Sequence, residues 1–223
     1  MAGMVEVMEA VNGGDADALA ALLERDPAAA GLVGDEGASP LLNALYRGRR
    51  DLAELFVRHG RELDGWEAAA MGDEDRLRAH LEADSDLPGR RTHDGWTPLH
   101  LSAFFGQQGT MRLLLERGAD PNAVSENWMR NTPLHAALNG PLAAHGIAAL
   151  IRAGADPNAR QKGGFGPLHS AANRGDVAIM GVLLAAEADP NAAADDGRTP
   201  LDFARTAERD EAVRYLLAHG AEE

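Results

Sequence analysis

The chain has 223 residues, with 21 Lys plus Arg against 35 Asp plus Glu for a formal net charge of −14, and 45% hydrophobic but only 4% aromatic residues. This is the composition of a folded globular chain rather than a disordered one. The absence of cysteine removes disulfide frameworks, thiolate zinc sites and thiol nucleophiles. No apolar run reaches the roughly 18 residues that cross a bilayer, and the negative excess disfavours nucleic acid and favours, weakly, a basic partner.

Residues 1–9 lack a basic stretch followed by an apolar one, so the expectation is a cytoplasmic protein without a secretory leader. Residues 1–33 are expected to open the fold as a capping helix pair, with Val5, Met8 and Val11 on one helix and Leu19, Leu22 and Leu23 on the next. Residues 34–60 form the next pair. Ser39 before Pro40 reads as a helix N-cap followed by N1, and Gly48 and Gly60 punctuate the two helices. In residues 61–90, the stretch 66–72 aligns with 100–106. Only five residues separate Gly60 from Trp66, so this unit is expected to be a bare helix pair.

Residues 91–124 carry the full pattern. Thr97 caps a short helix over 98–105 that ends at Gly106; a second helix carries Leu113, Leu114 and Leu115 and ends at Gly118, a residue suited to a left-handed C-cap. Segments such as His93-Asp94-Gly95-Trp96 have the residues of a β-turn finger. Residues 125–159 and 160–192 repeat this layout, and 193–223 form a closing unit whose last helix, 210–219, is polar. At the second C-cap, Glu187 stands where Gly60, Gly118, Gly154 and Gly220 stand elsewhere.

Two motifs run in phase. Thr97-Pro98-Leu99-His100, Thr132-Pro133-Leu134-His135, Gly166-Pro167-Leu168-His169 and Thr199-Pro200-Leu201-Asp202 place their prolines 35, 34 and 33 residues apart. Asp120-Pro121-Asn122, Asp156-Pro157-Asn158 and Asp189-Pro190-Asn191 keep step with them. The pattern resembles the ankyrin repeat, whose unit of about 33 residues contains T-P-L-H-x-A. The resemblance implies an all-α solenoid of about seven helix-turn-helix units with β-turn fingers, stacked into one domain over 1–223, because a single unit cannot bury its own apolar face.

Candidate chemistry is sparse. His100, His135 and His169 recur at equivalent positions, but stacked helices lie about 8–10 Å apart, too far for a shared metal ion; the rings are expected to bond their own turn and the neighbouring finger. Trp66, aligned with these histidines, is expected to donate its indole N–H in the same way. The Asp-Pro-Asn triplets suit turns. No nucleophile elbow, zinc-binding helix motif or phosphate loop is present, so no catalytic residue, cofactor or metal is expected.

In the ankyrin pattern, recognition residues lie in the finger and at the end of the first helix. Carried onto this sequence, those positions are His93, Asp94, Trp96, Phe104 and Phe105; Trp128, Met129, Asn131, Leu138 and Asn139; Lys162, Phe165, Asn173 and Arg174; and in the closing unit Asp195, Asp196 and Arg198. Five of the ten aromatic residues of the chain are in this set, and exposed rings are frequent binding anchors. The finger of 125–131 is longer than its neighbours, as a specificity loop would be. The expected role is that of a monomeric, non-catalytic module gripping another protein on a concave face. The alternative is a small-ligand sensor or enzyme near the fifth and sixth fingers using His145, Lys162, His169 and Arg174.

Overall fold

The computed structural model describes residues 3–34 and 37–223. Among them are fourteen α-helices, arranged as consecutive pairs. These are α1 (Met4–Gly13) with α2 (Ala16–Arg25), α3 (Pro40–Tyr46) with α4 (Arg50–Arg58), α5 (Gly65–Met71) with α6 (Glu74–Ala83), and α7 (Pro98–Phe104) with α8 (Gln108–Glu116). They continue with α9 (Pro133–Asn139) and α10 (Ala144–Arg152), α11 (Pro167–Arg174) and α12 (Val177–Ala185), and α13 (Pro200–Thr206) and α14 (Asp210–Ala218). Each first helix packs on its own second helix and on the first helix of the next pair.

The local signals explain the helix limits. Ser39, Thr97 and Thr199 accept from the N–H three residues on, ahead of a proline at N1, which supplies the helical φ without leaving a donor unused. The short helices end in left-handed residues at Gly48, Gly106 and Gly175. One continuous core results, built from first-helix residues such as Leu99, Leu134 and Leu168 and second-helix residues such as Leu114, Leu150 and Leu183. In α1 the expected stripe is corrected. Val7, Ala10 and Val11 face the core, Met8 is half-buried, and Val5 is exposed, because the i, i+3, i+4 set starting at Val7 is the one turned to α2 and α3.

No β-strand occurs among the described residues. The loops ahead of the first helices close instead through turn hydrogen bonds: Gly95 N to Thr92 O at 2.9 Å and Thr92 N to Trp96 O at 2.8 Å, repeated by Gly164 with Gln161 and by Gly197 with Ala194. Successive loops join through single backbone bonds, Glu126 N to Gly95 O (3.2 Å), Lys162 N to Met129 O (2.9 Å) and Asp195 N to Gly163 O (2.9 Å).

The turn between α9 and α10 breaks the regular pattern. Gly140 is extended (φ −106°, ψ −171°) rather than left-handed, and a Cβ placed on it would lie 1.9 Å from the Phe104 carbonyl oxygen. Only glycine permits that approach. Arg174 of the next pair donates to the Leu138 and Gly140 carbonyls and braces the altered turn.

The third unit has no turn loop. Its short connection carries an ion pair, with Arg61 6% and Glu67 0% exposed and Nη2 to Oε1 at 2.6 Å. Arg61 Nε also reaches Glu67 Oε2 (3.1 Å), and Nη1 reaches the Leu32 carbonyl (3.0 Å). Glu67 closes a capping box with Asp64 and accepts from the Ser39 hydroxyl. Burial, and then the Glu67 charge, raise the Asp64 carboxyl above its ordinary value.

Two stability outcomes follow. Glu67→Ala leaves a buried guanidinium without its counter-ion and is expected to cost about 3–5 kcal/mol in urea unfolding. Arg61→Leu combined with Glu67→Leu should recover only part of this, since Ser39 and the Leu32 carbonyl lose partners; a double variant as stable as wild type would contradict the bridging role. At the other end, Glu187 is held at φ 65°, a conformation that costs a non-glycine residue about 1 kcal/mol. Glu187→Gly keeps the carbonyl that accepts from Asn158 Nδ2 and is expected to raise the unfolding midpoint slightly.

Candidate functional site

The three repeated histidines are structural bridges. Each sits at the third position of its helix, accepts at Nδ1 from its own cap and donates from Nε2 to a carbonyl of the next loop. His100 reaches Asn131 O (3.1 Å), His135 reaches Phe165 O (3.2 Å) and His169 reaches Arg198 O (3.2 Å). These partners require the neutral ring with hydrogen on Nε2. Burial pulls His100 and His135 down to about 4 and lowers His169 too. In the closing unit Asp202 accepts from the Thr199 N–H and hydroxyl, and those bonds hold its carboxyl below the ordinary range. Among the described residues no group of three His, Asp or Glu could hold a metal.

Trp66 does not continue this series. Its Nε1 is buried without a hydrogen-bond partner. The third position of α5 is Glu67, one residue on. The alignment from Gly72 misplaced it because α5 reaches its closing glycine one residue sooner than α7 does.

The residues expected to contact a partner fall into three groups. Trp96, Phe104 and Phe105 gather with Tyr46, which lies 6.0, 5.8 and 5.3 Å from them between ring centroids. Tyr46 belongs to α3, two units upstream. It reaches across the third unit because that unit has no turn loop and α5 presents Ala68, Ala69 and Ala70. Trp96 is only 8% exposed and works as packing, whereas Phe104 and Phe105 are half-buried and Tyr46 is 39% exposed. Burial, and then the Asp94 carboxylate beside it, raise the Tyr46 hydroxyl above its ordinary value, so it stays protonated and donates to Asp94 Oδ2 at 3.3 Å. Asp94 also accepts from the Thr92 hydroxyl; His93 is exposed.

In the second group, Trp128 is 71% exposed with the Lys162 ammonium 5.0 Å from its ring centroid. Met129 is half-buried and holds the loop through its N–H to Asn127 Oδ1 (3.0 Å). Asn131 and Leu138, expected to meet a partner, are buried: Asn131 accepts from His100 and from Ser125, and Leu138 is fully enclosed in the core. Asn139 turns back to the His135 carbonyl.

The third group is Phe165 with Phe203, 5.5 Å apart edge to face, with Arg198 4.4 Å over Phe203. Asn173 is exposed and its carbonyl accepts from Arg209; Arg174 is the brace described above. Sequence reasoning missed Tyr46 and Phe203. Tyr46 was findable, since it lies six residues after Pro40, as Phe104 does after Pro98.

The net charge does not describe this surface. Units 91–124, 125–159 and 160–192 together hold eight cations and eight anions, so the excess of fourteen negative charges lies in the flanking units. Charges on an exposed surface act over about 8 Å at physiological salt, so the expectation of a basic partner, drawn from the total, does not carry to the loops. The residues of the enzyme alternative are each engaged elsewhere: Lys162 on Trp128, His169 on Arg198 O, Arg174 on Leu138 O, and His145 beside Gln108. His145 lines a groove of ≈ 620 Å³ between α8 and α10 that includes none of the other three.

Comparison with known proteins supplies the family. The model for ankyrin repeats (3 copies) matches residues 7–125, 66–161 and 142–223. The chain is 33% identical over 188 residues to the B-cell lymphoma 3 protein homolog of Mus musculus, covering 79% of this chain and 42% of that protein. It is 32% identical over 157 residues to the B-cell lymphoma 3 protein of Homo sapiens, covering 67% of this chain and 34% of that one. It is also 36% identical over 121 residues to the cyclin-dependent kinase 4 inhibitor B of Rattus norvegicus, covering 54% of this chain and 90% of that protein. The chain thus spans less than half the length of the first two relatives.

The histidine bridges predict a pH dependence. The unfolded chain protonates histidine near 6.5, while folded His100 and His135 resist down to about 4. Their contribution, up to about 3 kcal/mol each, is whole above pH 6.5 and declines as the pH falls toward 4. Urea unfolding between pH 6.5 and 5, above the carboxylate range, should show stability falling on acidification, with a shallower slope in His135→Gln. Identical slopes would mean that the ring titrates normally in the fold.

Proposed function

The chain belongs to the ankyrin-repeat family, and we propose that it is a non-catalytic protein-interaction module, a scaffold or regulator, that grips a partner protein on the concave face formed by its fingers and first helices. The repeat divisions 34–60, 61–90, 91–124, 125–159 and 160–192, between end units 1–33 and 193–223, belong to this reading. So do a monomeric state and a cytoplasmic location. The observation that carries it is the set of rings left accessible on that face: Tyr46, Phe104 and Phe105 in one patch and Trp128 in another. Aromatic side chains bury large areas at small entropic cost and dominate interface energetics. An open solenoid offers them as a surface rather than a pocket. The kinase-inhibitor name of one relative fits a regulator that works by occupying another protein.

His93, Asp94, Phe104, Phe105, Trp128, Met129, Asn139, Lys162, Phe165, Asn173 and Arg174 remain the proposed contacts, joined by Tyr46. Trp96, Asn131 and Leu138, which are buried, support them from beneath. The test is affinity capture from source cells with wild type beside Tyr46→Ala/Phe105→Ala, both checked for helicity and unfolding midpoint. A partner recovered by wild type and reduced at least tenfold with the variant is the expected result. Equal recovery would move the contact to the outer helices.

A further inference from the structure

The loop carrying Trp128 is built to hold its ring outward. Arg130 is left-handed at φ 52°, a conformation that persists only where surrounding bonds impose it. Those bonds are present: Ser125 N to Asn131 O (2.8 Å), Asn131 N to Ser125 Oγ (3.0 Å) and Met129 N to Asn127 Oδ1 (3.0 Å) within the loop, and Lys162 N to Met129 O (2.9 Å) from the next one. The backbone that carries the indole is therefore held in place, which spares a partner the cost of ordering the loop.

The charges around it are unevenly committed. Every carboxylate of the four successive loops has a partner. Asp94 accepts from Tyr46 and Thr92, Glu126 pairs with Arg91 (3.1 Å), Asp195 with Arg160 (3.1 Å) and Asp196 with Arg198 (2.7 Å). Two cations are left over here, one on the indole and one two residues further along the same loop. Lys162, the one lysine of the chain, rests its ammonium over the ring. Arg130, next to Met129, is exposed and has no ion pair among the described residues. In a chain of net charge −14, this corner is locally positive and anchored on an aromatic ring.

We propose that the Trp128 corner, formed by Trp128, Lys162 and Arg130, binds an acidic segment of a partner protein, with an apolar side chain laid on the indole and carboxylates paired to Lys162 and Arg130. The proposal rests on the interaction reading above and gives the sign of the partner's charge at this corner, opposite to the one the total charge suggests. Complementary charge at such a rim sets encounter rate and selectivity, and the ring supplies the apolar anchor.

The probe is a random peptide library displayed on phage and selected on the wild-type chain, with enriched peptides then measured by fluorescence anisotropy. The expected peptides combine Asp or Glu with an aromatic or aliphatic residue and bind less tightly as salt rises. They lose at least tenfold in affinity to Trp128→Ala and to Lys162→Glu, and keep their affinity for Lys162→Arg. Both sites are exposed, and an unchanged unfolding midpoint shows that the variants fold. Enrichment of basic peptides, or acidic peptides indifferent to both substitutions, would overturn the acidic assignment while leaving the interaction reading intact. An unspecific DNA duplex that outcompetes the peptides would overturn it in favour of a polyanion site. Failure to enrich any peptide would also overturn it, while the capture experiment with Tyr46→Ala/Phe105→Ala decides the broader reading independently.

Discussion

Side chains of one unit completing the backbone hydrogen bonding of the next are the interaction on which the stack depends. His100, His135 and His169 do this on the loop side. Asn122, Asn158 and Asn191 do it at the helix ends, each donating to a C-terminal carbonyl of the following unit (Gly154, Glu187 and Gly220) and accepting from an N–H two residues further on. The prolines and aspartates of the two motifs set up these bridges. Asp120, Asp156 and Asp189 fix the asparagines through Asx turns, and proline starts α7, α9 and α11 so that the histidine at the third position reaches the next loop. Apolar burial gives stacking its free energy, but it is non-directional. The bridges fix register and spacing, and those determine which side chains share a face.

The third unit shows what replaces a bridge when its acceptor is missing. With no loop ahead of α5, Leu42 at the third position of α3 has nothing to reach, and the polar link runs in the other direction, from Glu67 back to Ser39 and, through Arg61, to the carbonyls of Ala30 and Leu32. Burying two charges is costly unless every hydrogen-bonding site is used, and here nearly all are. The same missing loop leaves the space that Tyr46 crosses to meet Trp96, Phe104 and Phe105. One deletion in the pattern thus creates both the buried ion pair and the largest aromatic patch of the candidate face.

The repeat, its caps and the structural role of the histidines were legible in the sequence because each depends on local chemistry recurring at fixed spacing. Glu187 as a left-handed substitute for glycine was legible for the same reason. What misled was register and depth. Counting from the closing glycine put Trp66 where Glu67 belongs, since Gly72 follows α5 directly whereas Phe105 stands between α7 and Gly106. Counting positions in a repeat could not distinguish an accessible residue from a buried one, so Asn131 and Leu138 were grouped with Trp128. Arg174 is exposed, but its bracing bonds were not legible, because the Leu138 and Gly140 carbonyls become available only when the extra residue in the α9–α10 turn displaces the backbone.

Charge illustrates the same limit in energetic terms. A total of −14 governs solubility and the long-range approach of a partner, but a solenoid spreads that charge along its length while screening confines each contact to its neighbourhood. Units 1–33, 61–90 and 193–223 hold the excess, and the carboxylates on the central loops are already satisfied by Arg91, Arg160, Arg198, Tyr46 and Thr92. A partner docking on the central units therefore meets the charges left unpaired there, not the sum over the chain. In an elongated repeat protein the sign of the field at a binding face is set unit by unit, by which ion pairs the stacking consumes.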